Sequence, residues 1–135
     1  FKVDGEAKNW QPADWVLKYK GNGGDKLVSE QKFTDYGFIV DVKRGKGTKS
    51  IQLGVRGTAV EIDPANETFA KLLSKPGTWD RIEGVVRGSN LMLTVNNKRV
   101  DKTIELKSGP ELAPFTLWST GPVDFANIYV REIGK

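Results

Sequence analysis

YGFIVDVK, residues 36 to 43, places Tyr36, Phe38, Val40 and Val42 on one side and Asp41 and Lys43 on the other. Successive side chains of an extended strand point to opposite faces, so a period of two marks a strand buried on one side only. Neighbouring runs repeat the pattern. KSIQLGVR, residues 49 to 56, buries Ile51, Leu53 and Val55 and leaves Ser50, Gln52 and Arg56 outside. DRIEGVV, residues 80 to 86, sets Ile82 and Val86 against Arg81, Glu83 and Val85. SNLMLTVNNKRV, residues 89 to 100, buries Leu91, Leu93 and Val95, then turns through Asn96 and Asn97, a pair that tolerates positive φ. Phe125 and Ile128 are both expected inside; their spacing of three predicts a bulge. Many short one-sided strands need a second layer to cover them, so the expected fold is all-β, a two-sheet antiparallel sandwich.

One helix interrupts the strands. DPANETFAKLL, residues 63 to 73, offers Asp63 as N-cap, Pro64 at the first helical position, Glu67 in the first turn, and Phe69, Leu72 and Leu73 at helical spacing. A short helix over about 64–73 is predicted, stopped by SKPG. Asn66-Glu67-Thr68 fits the N-glycosylation pattern but lies inside that helix.

With 135 residues the chain fits one domain, residues 1–135, and no linker, repeat or low-complexity tract divides it. No apolar run is long enough to span a bilayer as a helix, so no membrane insertion is expected. The chain has no Cys and no His. That excludes disulfide scaffolds, thiolate nucleophiles, Ser-His-Asp triads and nearly all zinc sites, and leaves carboxylates, Lys, Arg and Tyr to do any chemistry. Phe1 in place of Met reads as a mature or excised piece. The formal charge is +4, but its lysines are scattered, and the densest cluster, KRGKGTK at 43–49, reads as a solvated hairpin turn whose glycine spacing fails the phosphate-loop pattern. A nucleic-acid partner is not expected.

VRGTAVEID, residues 55 to 63, carries Arg56, Glu61 and Asp63. Glu-Ile-Asp also occurs in the catalytic strand of family 16 glycanases, which adds a third carboxylate just beyond; here Pro64, Ala65 and Asn66 follow. A retaining pair holds its carboxyls about 5–5.5 Å apart, which a strand broken by Pro does not favour. Asp63 therefore reads as a helix cap, and Glu61 as an outward strand residue. In FTLWST, residues 115 to 120, Phe115 and Leu117 point inward while Trp118 points outward with Thr116. Sugar C–H faces stack on such rings, while Arg, Glu and Gln hydrogen-bond the hydroxyls. Gln52, Arg56, Glu61, Arg81, Glu83 and Trp118 form the candidate ligand-binding constellation, provided their strands share a sheet. Trp15, opening WVLKY, reads as core; Trp10 and Trp79 read as plugs at the sandwich edges.

Four stretches together resemble a known family: FKVDGEAKNW at the start, DKLVSEQKFTDYGFIVDVK, GTWDRIEGVVRGSNLMLTVNNKRV, and the closing FTLWSTGPVDFANIYVREI. They are similar to the domain of unknown function 1080 family, also called the 3-keto-disaccharide hydrolase domain, of the concanavalin A-like lectin/glucanase superfamily. The resemblance implies a jelly roll. It also matches Arg56 and Glu61 to the family's Arg and Glu, while the Tyr and Gln of that stretch find no counterpart and a longer mid-chain insertion is missing. The expectation is accordingly a non-catalytic carbohydrate-binding module whose partner is a glycan or oligosaccharide. It would be secreted, periplasmic or on the cell surface, and excised from, or attached to, a larger glycan-processing protein. The alternative is a glycoside hydrolase or lyase acting on 3-keto-glycosides, with Glu61 or Asp63 as base and Arg56 at the developing oxyanion. No cofactor is expected. A structural calcium, as in similar sandwiches, would have to draw on Asp4, Asp14, Asp25 or Asp124, and no loop has a dense acidic spacing.

Overall fold

The computed structural model describes residues 2–4, 10–13, 15–20, 26–106 and 112–133. Its elements in chain order are β1 (Lys2–Asp4), β2 (Trp10–Ala13), β3 (Val16–Tyr19), β4 (Lys26–Phe33), β5 (Tyr36–Arg44), β6 (Ile51–Val55), β7 (Thr58–Ile62), α1 (Glu67–Ala70), β8 (Trp79–Arg87), β9 (Asn90–Val95), β10 (Lys98–Arg99), β11 (Ile104–Glu105), β12 (Ala113–Ser119) and β13 (Val123–Glu132). They form two antiparallel sheets. The smaller has five strands in the order β1-β4-β12-β6-β7; the larger has eight, β10-β9-β8-β5-β13-β3-β2, with β11 beside β9. This is a jelly-roll sandwich with one short helix, the fold class expected.

The strand that decides the fold behaves as its alternation predicts. Tyr36, Phe38, Val40 and Val42 are buried, and so are Ile51, Leu53, Ile82, Val86, Leu91, Leu93, Val95, Leu117 and Phe125. Aromatic rings lock the sheets together: Phe38 of the larger sheet and Phe115 of the smaller lie 4.6 Å apart, with Tyr36 and Phe115 at 6.0 Å edge to face. Gly84 makes room for this contact, since a Cβ there would come within 2.3 Å of the Phe38 ring. The expected bulge is present between Ala126 and Tyr129, with Asn127 at φ 51, and Ile128 is half-buried against the core. Asn96 and Asn97, at φ 51 and 68, make the β9–β10 turn. Among the described residues no helix is long and apolar enough to cross a membrane.

Four readings are corrected. The helix spans Glu67–Ala70 rather than 64–73, and its N-cap is Asn66, which accepts from Thr68 N–H at 2.9 Å. Asp63 instead accepts from Ala65 N–H at 2.8 Å in a turn. The helix stops early because the sheet claims the backbone beyond it. Leu72 O accepts from Asn96 Nδ2 at 3.0 Å, Ser74 N–H donates to Asp80 at 2.9 Å, and Ser74 O accepts from Arg44. Second, the basic segment 43–49 is no hairpin, since β5 and β6 lie in different sheets. It crosses between them, pinned by Gly45 N–H to Pro122 O at 2.8 Å and Lys49 N–H to Thr120 O at 3.2 Å. Third, Trp15 is 98% exposed. It sits at φ 68 just before β3, outside the core between the two sheets. Fourth, Ser50 and Gln52 face outward as expected but are buried, at 3% and 8% exposure, because they bond each other and Ser50 is covered by Thr120.

Candidate functional site

On the outer face of the five-stranded sheet, antiparallel register aligns three of the expected residues. Trp118 of β12 pairs with Gln52 of β6, and Gln52 pairs with Glu61 of β7. On the other side of Trp118, Leu117 pairs with Leu27, which brings Lys26 of β4 level with the ring. Its ammonium sits 4.4 Å from the ring centroid, a cation–π contact. The benzo edge of Trp118 overhangs Gly54, and a Cβ at that glycine would lie 1.7 Å from Thr116 Oγ1 and 3.4 Å from the ring. A groove of about 350 Å³ follows, floored by Gly54 and walled by Trp118, Lys26, Thr116 and Thr58.

The polar groups beside the ring are fixed before any ligand arrives. Gln52 Nε2 donates to Glu61 Oε2 at 2.9 Å and to Ser50 Oγ at 2.8 Å. Ser50 Oγ donates to the same carboxylate oxygen at 3.3 Å and lies 3.2 Å from Thr120 Oγ1. Both amide hydrogens of Gln52 are thereby engaged. Gln52 Oε1 and Glu61 Oε1 carry no hydrogen bond among the described residues. They are acceptors in set positions beside an aromatic face, able to orient a hydroxylated ligand.

The other three residues of the expected constellation lie elsewhere. Arg56, at φ 48 in the β6–β7 turn, donates to Gly88 O and sits 3.9 Å from Asp35, whose carboxylate also accepts from Gly88 N–H at 2.9 Å. It closes one end of the sandwich over Tyr36, whose phenol pKa burial pushes up. Arg81 and Glu83 belong to β8 in the larger sheet, so the condition of a shared sheet fails for them. Arg81 grips Asp41 through Nε and Nη2 at 2.8 and 3.0 Å; this bond holds the Asp41 carboxyl below its ordinary range, with Asn127 Nδ2 adding a contact at 2.6 Å. Lys26, Ser50 and Thr120 were not foreseen at the site. The alternation of KLVS was the available signal for Lys26.

Asp14 and Asp25 lie outside the described residues, and Asp4 is described only as a strand residue paired with Lys26. Asp124 faces Lys43 at 3.5 Å. Among the described residues no group of three or more acidic, His or Cys side chains could hold a metal. Trp79 is partly exposed under the Lys43 ammonium, 5.3 Å from its centroid, at the start of β8, and the Trp10 side chain lies outside the description.

Two antiparallel sheets, their strand order and the aromatic core between them define a jelly-roll β-sandwich. A candidate glycosyl hydrolase from Parabacteroides distasonis superposes on it with TM-score 0.75 at 14% identity, over 97% of this chain and 93% of that one. The carbohydrate-binding module CBM66 of Bacillus subtilis superposes with TM-score 0.69 at 12% identity, over 90% of each chain. Sheep galectin-11, in complex with glycerol, gives 0.53 at 9% identity, over 78% of this chain and 96% of that one. At such identities the likeness is one of fold. No family model matches the sequence. No curated protein matches it either.

Proposed function

We propose that the chain binds carbohydrate across the outer face of its five-stranded sheet and does not itself turn the sugar over. The observation that carries this reading is the row Lys26, Trp118, Gln52 and Glu61, one residue from each of four adjacent strands, beside a floor kept open by Gly54. A ring for the apolar face of a sugar and two pre-set acceptors for its hydroxyls are what such recognition needs. The fold's company supports it, since the Bacillus protein is a carbohydrate-binding module and the Parabacteroides protein a candidate glycosyl hydrolase. The absence of turnover rests on the expected catalytic partners. Asp63 is held in a local turn and Arg56 at the end of the sandwich, so neither is joined to Glu61. Kinship with the 3-keto-disaccharide hydrolase domain, an exported location and attachment to a larger glycan-processing protein belong to the same proposal.

Calorimetric titration with glycans selected on an array tests it. Trp118→Ala should lose about 1–3 kcal/mol of affinity, as truncating a central aromatic contact does, with the unfolding midpoint little changed. Equal affinity of mutant and parent for every glycan would sink the reading. Release of free sugar from 3-keto-trehalose should be absent; release that disappears in Glu61→Gln, with the fold intact, would make the chain an enzyme.

A further inference from the structure

The outer face of the larger sheet carries a second arrangement of the same kind. Cross-strand register sets out two rows: Tyr129, Ile39 and Glu83 in one, Arg131, Gly37 and Val85 in the next. Tyr129 is 55% exposed. A cup of about 250 Å³ opens among these six residues.

Gly37 is the informative residue. It lies inside β5, with neighbours paired on both sides, where glycine costs backbone entropy and gives up a packing side chain. Packing does not demand it. A Cβ there would meet only Gly84 O, at an ordinary 3.6 Å, whereas Gly54 and Gly84 each exclude a hard clash. Its φ lies outside the left-handed region, so conformation does not demand glycine either. No ring atom comes within 4 Å of the vacant position, so Tyr129 does not cover it in the way an aromatic often covers a strand glycine. What the glycine does is deepen the cup.

Glu83 and Arg131 flank that cup with no hydrogen bond or close ion pair among the described residues; Arg81 nearby bonds Asp41 and feels Glu83 only through its charge. We propose that this face is a second carbohydrate site, in which a sugar ring lies over Gly37 against the Tyr129 ring while Glu83 and Arg131 bond its hydroxyls. The scale favours a sugar over a protein. The cup is smaller than the roughly 300–1,000 Å³ that drug-sized ligands fill. Its apolar floor, bounded by charged residues, falls far short of the roughly 800 Å² that a protein partner covers. The proposal shares with the first site the reading that the chain binds carbohydrate, but no residue.

Backbone amide NMR shifts under titration separate the two sites, with cellohexaose, xylohexaose and mannohexaose as separate probes at millimolar concentration. At least one probe should move the amides of Gly37, Val85, Tyr129 and Arg131. That response should persist in Trp118→Ala and vanish in Tyr129→Ala. Gly37→Ala should weaken it at least tenfold while the unfolding midpoint stays level or rises, an outcome that a structural glycine would reverse. Shifts confined to the Trp118 row overturn this inference and leave the first site standing. Silence at Gly37 with all three probes overturns it, as does a response that survives Tyr129→Ala.

Discussion

Gly37 and Gly54 look alike in the sequence, each the small residue in a strand of larger ones, and only their surroundings separate them. At Gly54 the missing side chain is a steric necessity, because a Cβ would lie 1.7 Å from Thr116 Oγ1. Gly54→Ala should therefore cost about 1–3 kcal/mol in urea unfolding, the usual range for overpacking, and Thr116→Ala should recover part of that loss. An unchanged midpoint would mean that Thr116 simply rotates away. The outward sense of Trp118, Gln52 and Glu61 was legible, because alternation alone fixes which face a strand residue takes. Their meeting was not. It depends on β12 entering the sheet beside β6, and nothing in either segment announces that pairing. The same lack of register information put Arg81 and Glu83 in the wrong company.

Asp41 shows how one side chain can tie elements together. It stands on β5, is gripped by Arg81 of β8, and takes a further bond from Asn127 at the bulge of β13. Its carboxyl pKa is lowered from an ordinary value of 3.8, chiefly by the Arg81 bond. A depressed folded pKa contributes stability that is complete above the unfolded value and is lost as pH falls through the folded one. Thermal midpoints should accordingly drop as the solution is taken from about pH 5 toward pH 2. Asp41→Asn should flatten that drop; an identical pH profile for mutant and parent would remove Asp41 from the account. The bulge itself could be anticipated, since Phe125 and Ile128 break the period of two. The length of the helix could not, because its end is set by Arg44, Asp80 and Asn96, which reach in from the sheet. Trp15 escaped for a related reason. Propensity places a Trp beside Val and Leu in the core, but this one stands outside it, at a left-handed backbone position just before β3.

At the scale of the whole molecule, the sandwich presents two outer faces, and each candidate site lies on a different one. A chain that bound sugar on both would bridge neighbouring glycan strands, gaining avidity from two weak contacts. The fold class itself was the most legible feature, since period-two runs with turn residues between them leave few other architectures open.

The strand order has a temporal side. β12 occupies the centre of the smaller sheet, and β13 lies between β5 and β3 in the larger, so the two strands of the sandwich that are made last are each interior to a layer. Until they arrive, β4 has no partner on the side facing β6, and β5 none on the side facing β3. The pairs β1–β4, β2–β3 and β6–β7 and the run β5-β8-β9 can form beforehand, but only β12 and β13 join them into two sheets, and folding that depends on contacts between distant residues is slow. A chain ending at Leu112 should show no cooperative unfolding transition by circular dichroism. Addition of a peptide spanning residues 113–133 should restore one; a sharp transition in the shortened chain alone would show that the earlier strands can close a core without it.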